Sequence, residues 1–153
     1  MTSLTSLIEA LEPALQARLG VLDAPHRCAV RLFNGFLEGW PDLVVDLYTR
    51  TLVIFNYADP SQAAQDEFQQ AVTFYRERLP WLQAGVIKHR RSPDRRLRCG
   101  VLAFGAAPDR KVYENGVWYA LDLLMNQDAS FYLDTRNLRT WAKEHLRGKR
   151  VLN

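Results

Sequence analysis

Cysteine is scarce. The 153 residues hold two, Cys28 and Cys99, too few for a disulfide framework and without the paired spacing of a metal site. No stretch approaches the roughly 18 consecutive apolar residues that a membrane-spanning helix requires, so no membrane segment is expected. The opening MTSLTSLIEALEP lacks a basic n-region and carries Glu9 and Glu12 early, unlike a secretory signal. A glycine-rich phosphate loop is missing, as is a Ser–His–Asp order, and His26, His89 and His145 share no metal spacing. On residues alone the chain shows no catalytic constellation. Two free thiols and no leader lead us to expect a reducing, cytoplasmic setting.

What is present is an ordinary globular composition, 48% hydrophobic and 24% charged, enough chain for one full domain that buries roughly 68–70% of its unfolded surface. Twenty Lys and Arg against 17 Asp and Glu leave a net charge of +3, but the distribution is uneven. Six of the basic residues fall in KHRRSPDRRLR, Lys88 to Arg98, and that local density matters more than the net figure.

Hydrophobic spacing predicts an amphipathic helix over residues 3–19, kinked or split at Pro13. CAVRLF reads as a strand, NGFLEGWPD as a loop, and LVVDLYTRTLVIFNY as two strands joined at Thr49–Arg50. Residues 61–79 read as the clearest helix, with Ser61 as N-cap, Arg76 and Arg78 late and Pro80 just beyond. AGVIKHR is a further strand, followed by the basic loop and the short strand RCGVLAFG. Asn115–Gly116 between β-rich runs signals a two-residue hairpin. FYLDTRNLRTWAKEHLR starts extended and becomes helical near Thr135, with Asp134 as its cap and Gly148 beyond its end. The fold class is α+β, a mixed sheet with flanking helices, and the chain changes character near residue 125.

Several residues carry two readings each. Arg90, Arg91, Arg95, Arg96 and Arg98 flank a turn at Ser92-Pro93-Asp94. They either contact RNA phosphates, which gives affinity without sequence information, or form a solvated loop paired to acids. Trp40 stacks on a base or, more commonly beside a proline, packs on its own domain. Phe131 and Tyr132 precede Asp134 and Arg136 at a strand-to-helix junction, where aromatics are usually core. Cys28 and Cys99 lack a neighbouring base and read as small buried hydrophobes.

Together these segments resemble a known family. RLFNGFLEGWPDLVVDLY is similar to the R-L-x-N-G-(E)-x-D-G-x-P-G-L-x-V-D-x-Y block of S-adenosylmethionine-dependent ribosomal RNA methyltransferases, whose best-known bacterial members make 5-methylcytosine in large-subunit RNA. Downstream, VYENGVWYALDLLMNQDASFYLDTRNLR resembles that family's E-x-G-x-x-(aromatic)-x-V-D and Q-K-T-G-F-(F/Y)-L-D-Q-R-x-N-R, and GKRVLN matches its closing block. The resemblance covers about residues 28–153. It implies an N-terminal helical segment (1–20), a central RNA-binding α/β domain (21–125), and the first helix and strand of a Rossmann-like methyltransferase domain (126–153), with KRVLN as that strand.

The resemblance also implies an S-adenosylmethionine cofactor bordered by Phe131, Tyr132, Asp134 and Arg136. RNA, ribosomal by analogy, would be held at Arg90, Arg91, Arg95, Arg96 and Trp40, with neither metal nor membrane involved. The family's cofactor loop and nucleophilic cysteine have no counterpart in these residues, so the 153-residue piece is expected to be inactive alone while its parent is an enzyme. Two departures stand out: the family's K-T-G is Asp128-Ala129-Ser130, reversing a charge near the presumed entrance, and its Gln before the Arg is Thr135. The competing readings are a non-catalytic RNA-binding module, a divergent inactive paralogue, and a protein-interaction domain with a merely solvated Arg loop.

Overall fold

In the computed structural model residues 6–59 and 62–151 are described, 62–65 as backbone alone. The chain opens with helix α1, Leu7–Gln16, started by a reciprocal capping box: Glu9 N–H donates to Ser6 Oγ and Ser6 N–H donates to Glu9 Oε2 at 2.7 Å. Leu7, Leu11, Ala14 and Leu15 form its buried stripe. Pro13 does not split it. The hydrogen bond its missing N–H would have made ends at Glu9, which is exposed, so water can satisfy that carbonyl. The helix is shorter than its apolar spacing predicts: Leu19 falls in a separate 3-10 turn, Leu19–Val21. The expected first turn, with Leu4, lies outside the described residues.

Five strands follow as one sheet: β1 (Ala29–Asn34), β2 (Leu43–Tyr48), β3 (Thr51–Asn56), β4 (Ala84–His89) and β5 (Val101–Phe104), in that order across the sheet. Neighbours pair antiparallel except β3 and β4, which run parallel. A parallel pair needs a crossover, and helix α2 (Gln62–Arg78) supplies it; its expected cap, Ser61, lies outside the described residues. The β2–β3 turn sits at Thr49–Arg50 as read, with Thr49 at φ +59°. β3 is central and buried at all six positions, which is why TLVIF reads as a continuous apolar run rather than an alternation.

The sheet is covered on both faces. Leu52 and Ile54 of β3 join Leu11 and Leu15 of α1 and Phe68, Val72 and Tyr75 of α2 in one core. Val53 and Phe55, on the opposite face of the same strand, join Tyr48, Val112, Leu121, Leu123, Ala129 and Phe131 in the other. A bulge between Arg31 and Phe33 lets consecutive Leu32 and Phe33 both enter the first core. Each fully buried Leu, Ile or Phe contributes roughly 1.5–3 kcal/mol relative to exposure.

The second face is covered by a hairpin, β6 (Lys111–Glu114) and β7 (Val117–Ala120). Asn115 at φ +52° and Gly116 at φ +83° take the type I′ turn that their sequence announces. Two elements differ from the sequence reading. The basic stretch is not all loop: Asp94 accepts from Arg96 N–H at 2.8 Å and caps a short helix α3, Arg95–Cys99, so β5 begins only at Val101. Helix α4, Arg136–His145, begins near Thr135 as expected, but Asp134 does not cap it. The cap position is Thr135, whose hydroxyl donates to Tyr132 O instead. Lys149–Val151 form no strand, having no strand beside them to pair with among the described residues, and Leu152 and Asn153 lie outside them.

Candidate functional site

The end of β4 is where charge, burial and the 126–136 segment meet. β4 is an apolar strand that ends Lys88-His89, with Arg90 just beyond. Lys88 has no solvent exposure, and its ammonium donates to the carbonyls of Cys99 and, at 2.7 Å, Asn126. Burial lowers its pKa to about 8, because a charged amine loses its hydration there. Arg90 continues the pattern. Its Nη1 donates to the Gln127 carbonyl and to Asp128 Oδ1 at 2.6 Å, while its guanidinium lies 5.6 Å from the centre of the Tyr57 ring. The two side chains thus fasten residues 126–128 to the strand end.

That placement gives Arg90 a structural role. Its side chain is 18% exposed and already paired with Asp128, so its charge is engaged within the protein. It also neutralises Asp128, the acid that departs from the family pattern. Trp40, partly buried, packs against the first core and its Nε1 donates to Glu67 at 3.1 Å. Arg98 turns back onto the carbonyls of Ser92 and Pro93 at 2.8 Å. Arg91, Arg95 and Arg96 are exposed. Arg91 makes a loose pair with Asp59 at 3.4 Å, which at this exposure is worth little.

The segment leading out of the 126–128 loop is rigidly seated. Phe131 is buried against Tyr119, with centroids 5.1 Å apart, and Arg139 lies over its ring at 4.0 Å. Tyr48 Oη donates to the Phe131 carbonyl at 3.1 Å and Arg139 Nη1 donates to that of Tyr132 at 2.7 Å. Burial raises the Tyr48 pKa, so its hydroxyl stays a donor. Tyr132, Asp134 and Arg136 are exposed, and Asp134 accepts no hydrogen bond among the described residues. Arg136 lies 3.5 Å from buried Glu114, which also takes both ends of the Arg139 guanidinium at 2.7 and 3.1 Å. Tyr132, Asp134 and Arg136 thus present an exposed ring, a carboxylate and a partly engaged guanidinium on one side of this junction. Phe131 is buried beneath them.

Sequence reasoning missed three residues that organise this region. Lys88 announced itself as a charge inside an apolar strand. Glu114 was legible only as part of a hairpin, and nothing local signalled its two arginine partners. Asp46, 2% exposed, takes a bidentate ion pair from Arg31 at 2.8 and 3.2 Å beneath the same face; burial outweighs that pair and raises its pKa. Cys28 and Cys99 are half-buried, and burial pushes the Cys28 thiol pKa up, which weakens it as a nucleophile. Among the described residues no three acids, histidines or cysteines cluster to hold a metal, and no helix is long and apolar enough to cross a membrane.

Residues 30–153 match the model of the S-adenosylmethionine-dependent methyltransferase family, to which this chain belongs. It is similar to the ribosomal RNA large subunit methyltransferase I of Photobacterium profundum, 27% identical over 147 residues that cover 95% of this chain and 35% of that one. The protein of the same name from Aeromonas hydrophila is 31% identical over 150 residues, 95% of this chain and 37% of that one. The chain therefore spans just over a third of the length of these relatives. In fold it is similar to the solved structure titled "A putative sam-dependent methyltransferase from Streptococcus mutans", with a TM-score of 0.73 and 21% identity over 92% of this chain and 36% of that one.

Proposed function

We propose that this chain is the RNA-facing part, with one rim of the cofactor site, of a ribosomal RNA large-subunit methyltransferase of the 5-methylcytosine type. The carrying observation is the double tether at the end of β4. Lys88 and Arg90 hold residues 126–128, so the exposed arginines of 91–96 and the rim at 131–136 leave one fixed junction. The names of the relatives point to the same substrate. Arg91, Arg95 and Arg96 would attract RNA phosphates. Tyr132 would stack on the flat part of the cofactor, Asp134 would accept from its hydroxyl or amino groups, and Arg136 would balance charge beside them.

When bound, S-adenosylmethionine supplies the methyl group; the chain's own residues bind and orient. Neither cysteine is placed as a nucleophile, so these 153 residues by themselves are proposed to transfer no methyl group. In this reading residues 21–125 form the substrate domain and 126–153 open the cofactor domain. α4, which buries none of its residues, then presents Leu138 and Trp141, 61% and 49% exposed, to the remainder of such a domain.

The test is binding to structured RNA across a salt series. Charge reversal of Arg91, Arg95 and Arg96 to Glu is expected to weaken binding at least tenfold in 0.1 M salt and to flatten the salt slope by about 2, since each lost phosphate contact removes roughly 0.7–0.9 from it. Binding that is absent, or unchanged by the triple reversal, contradicts the proposal.

A further inference from the structure

β3 and β4 are the parallel pair of the sheet, and ligands in α/β sheets collect at the carboxyl ends of such strands. Asn56 and His89, the last residues of the two strands, are partners in register, and both line a cavity of about 380 Å³ beyond the strand ends. Asp59 and Asp66 also line it, as do Leu97 of α3 and Leu102 of β5. Its volume falls in the range of small-molecule sites, about 300–1,000 Å³. We propose that this cavity takes an unstacked RNA base bearing an exocyclic amine, an inference that rests on the RNA reading above and names a subsite within it.

The polar groups are set in a definite order. Asn56 Oδ1 accepts from Ala58 N–H at 2.8 Å, which turns the amide nitrogen toward His89 Nδ1, 3.1 Å away. An amide NH₂ only donates, so Nδ1 accepts and the ring proton sits on Nε2. Burial also lowers the His89 pKa, keeping the ring neutral. Nε2–H is then a donor with no partner among the described residues, in a cavity that also holds two carboxylate acceptors and two aliphatic walls.

A donor beside acceptors, between apolar walls, matches the Watson–Crick edge of adenine or cytosine. The amine donates to a carboxylate, a ring nitrogen accepts from Nε2–H, and the faces rest on Leu97 and Leu102. Uracil places a carbonyl where the amine would be and meets carboxylate oxygen with oxygen. Arg91, which does not itself line the cavity, pairs with Asp59, which does. A phosphate that draws Arg91 away releases Asp59 for the base, and Arg95 and Arg96 stand on the helix that carries Leu97.

Nucleosides, which lack phosphate, test the cavity apart from the arginines. In an NMR titration of the chain, adenosine and cytidine at millimolar concentration are expected to shift the His89 ring signals and the Leu97 and Leu102 methyls. Uridine should bind at least fivefold more weakly, and Asp66→Asn should erase that difference. Leu97→Trp, which fills the cavity, should abolish the shifts while the sheet signals stay in place. No shift, or equal shifts with uridine, overturns the subsite even if the salt series shows RNA binding. Selective nucleoside shifts in a chain that binds no RNA overturn the RNA part of the inference together with the function reading.

Discussion

Lys88 shows how one residue can be legible and misread. As part of KHRRSPDRRLR it counts toward a basic patch, yet it is buried and bonded to two carbonyls. Its folded pKa of about 8 lies below its ordinary value of 10.5, so the unfolded chain holds the proton more tightly and stability attributable to Lys88 rises as pH climbs from about 8 toward 10.5. Between pH 7 and 9.5 that gain comes to about 2 kcal/mol. Denaturant unfolding of the parent chain and Lys88→Met at both pH values should show the gap shifting by about that amount in favour of the parent; a gap constant with pH would contradict the buried-ammonium account. Arg90 carries the same lesson. Its sequence neighbours suggest RNA, and its partner Asp128 lies 38 residues away, a separation that no local pattern encodes.

Among the elements, those with a strong period were readable. β1 to β4, α2 and the Asn115–Gly116 hairpin fall close to where alternation, capping and turn chemistry put them. α3 was hidden because its five residues, Arg95–Cys99, are too few to show a period, and only Asp94 marks its start. α4 was readable as a helix but not as an element held from outside. It buries no residue of its own, and it is tied down by polar side chains, among them Arg139 and Arg136 on Glu114, Asn115 on Thr140 and Lys143 on the Asn115 carbonyl. Glu114→Ala removes two charge-assisted bonds, a loss of about 2 kcal/mol. Hydrogen exchange should therefore speed up at the amides of 136–145 by about thirtyfold while β2 to β4 keep their protection. Equal loss across the sheet would mean that Glu114 supports the core rather than the helix.

For the whole molecule, the division of labour lies between the two faces of the sheet. α1 and α2 close one face with aliphatic and aromatic packing, and the other carries the ion pairs Arg31–Asp46 and Arg139–Glu114 and the seated 121–131 run. The resemblance to methyltransferases was legible because it rests on ordered blocks of sequence. The site was legible only in part, since which arginines are spent internally depends on long-range pairing. Arg91, Arg95 and Arg96 remain outward, beside the Asn56–His89 cavity and joined through Lys88 and Arg90 to the rim at 131–136. The most direct measurement is photocrosslinking of the chain to ribosomal RNA carrying photoreactive bases, with the attachment sites mapped by mass spectrometry. The account predicts crosslinks within residues 89–103 and around Tyr132. Crosslinks confined to the α1 and α2 face, or none above a non-RNA polyanion control, would contradict it.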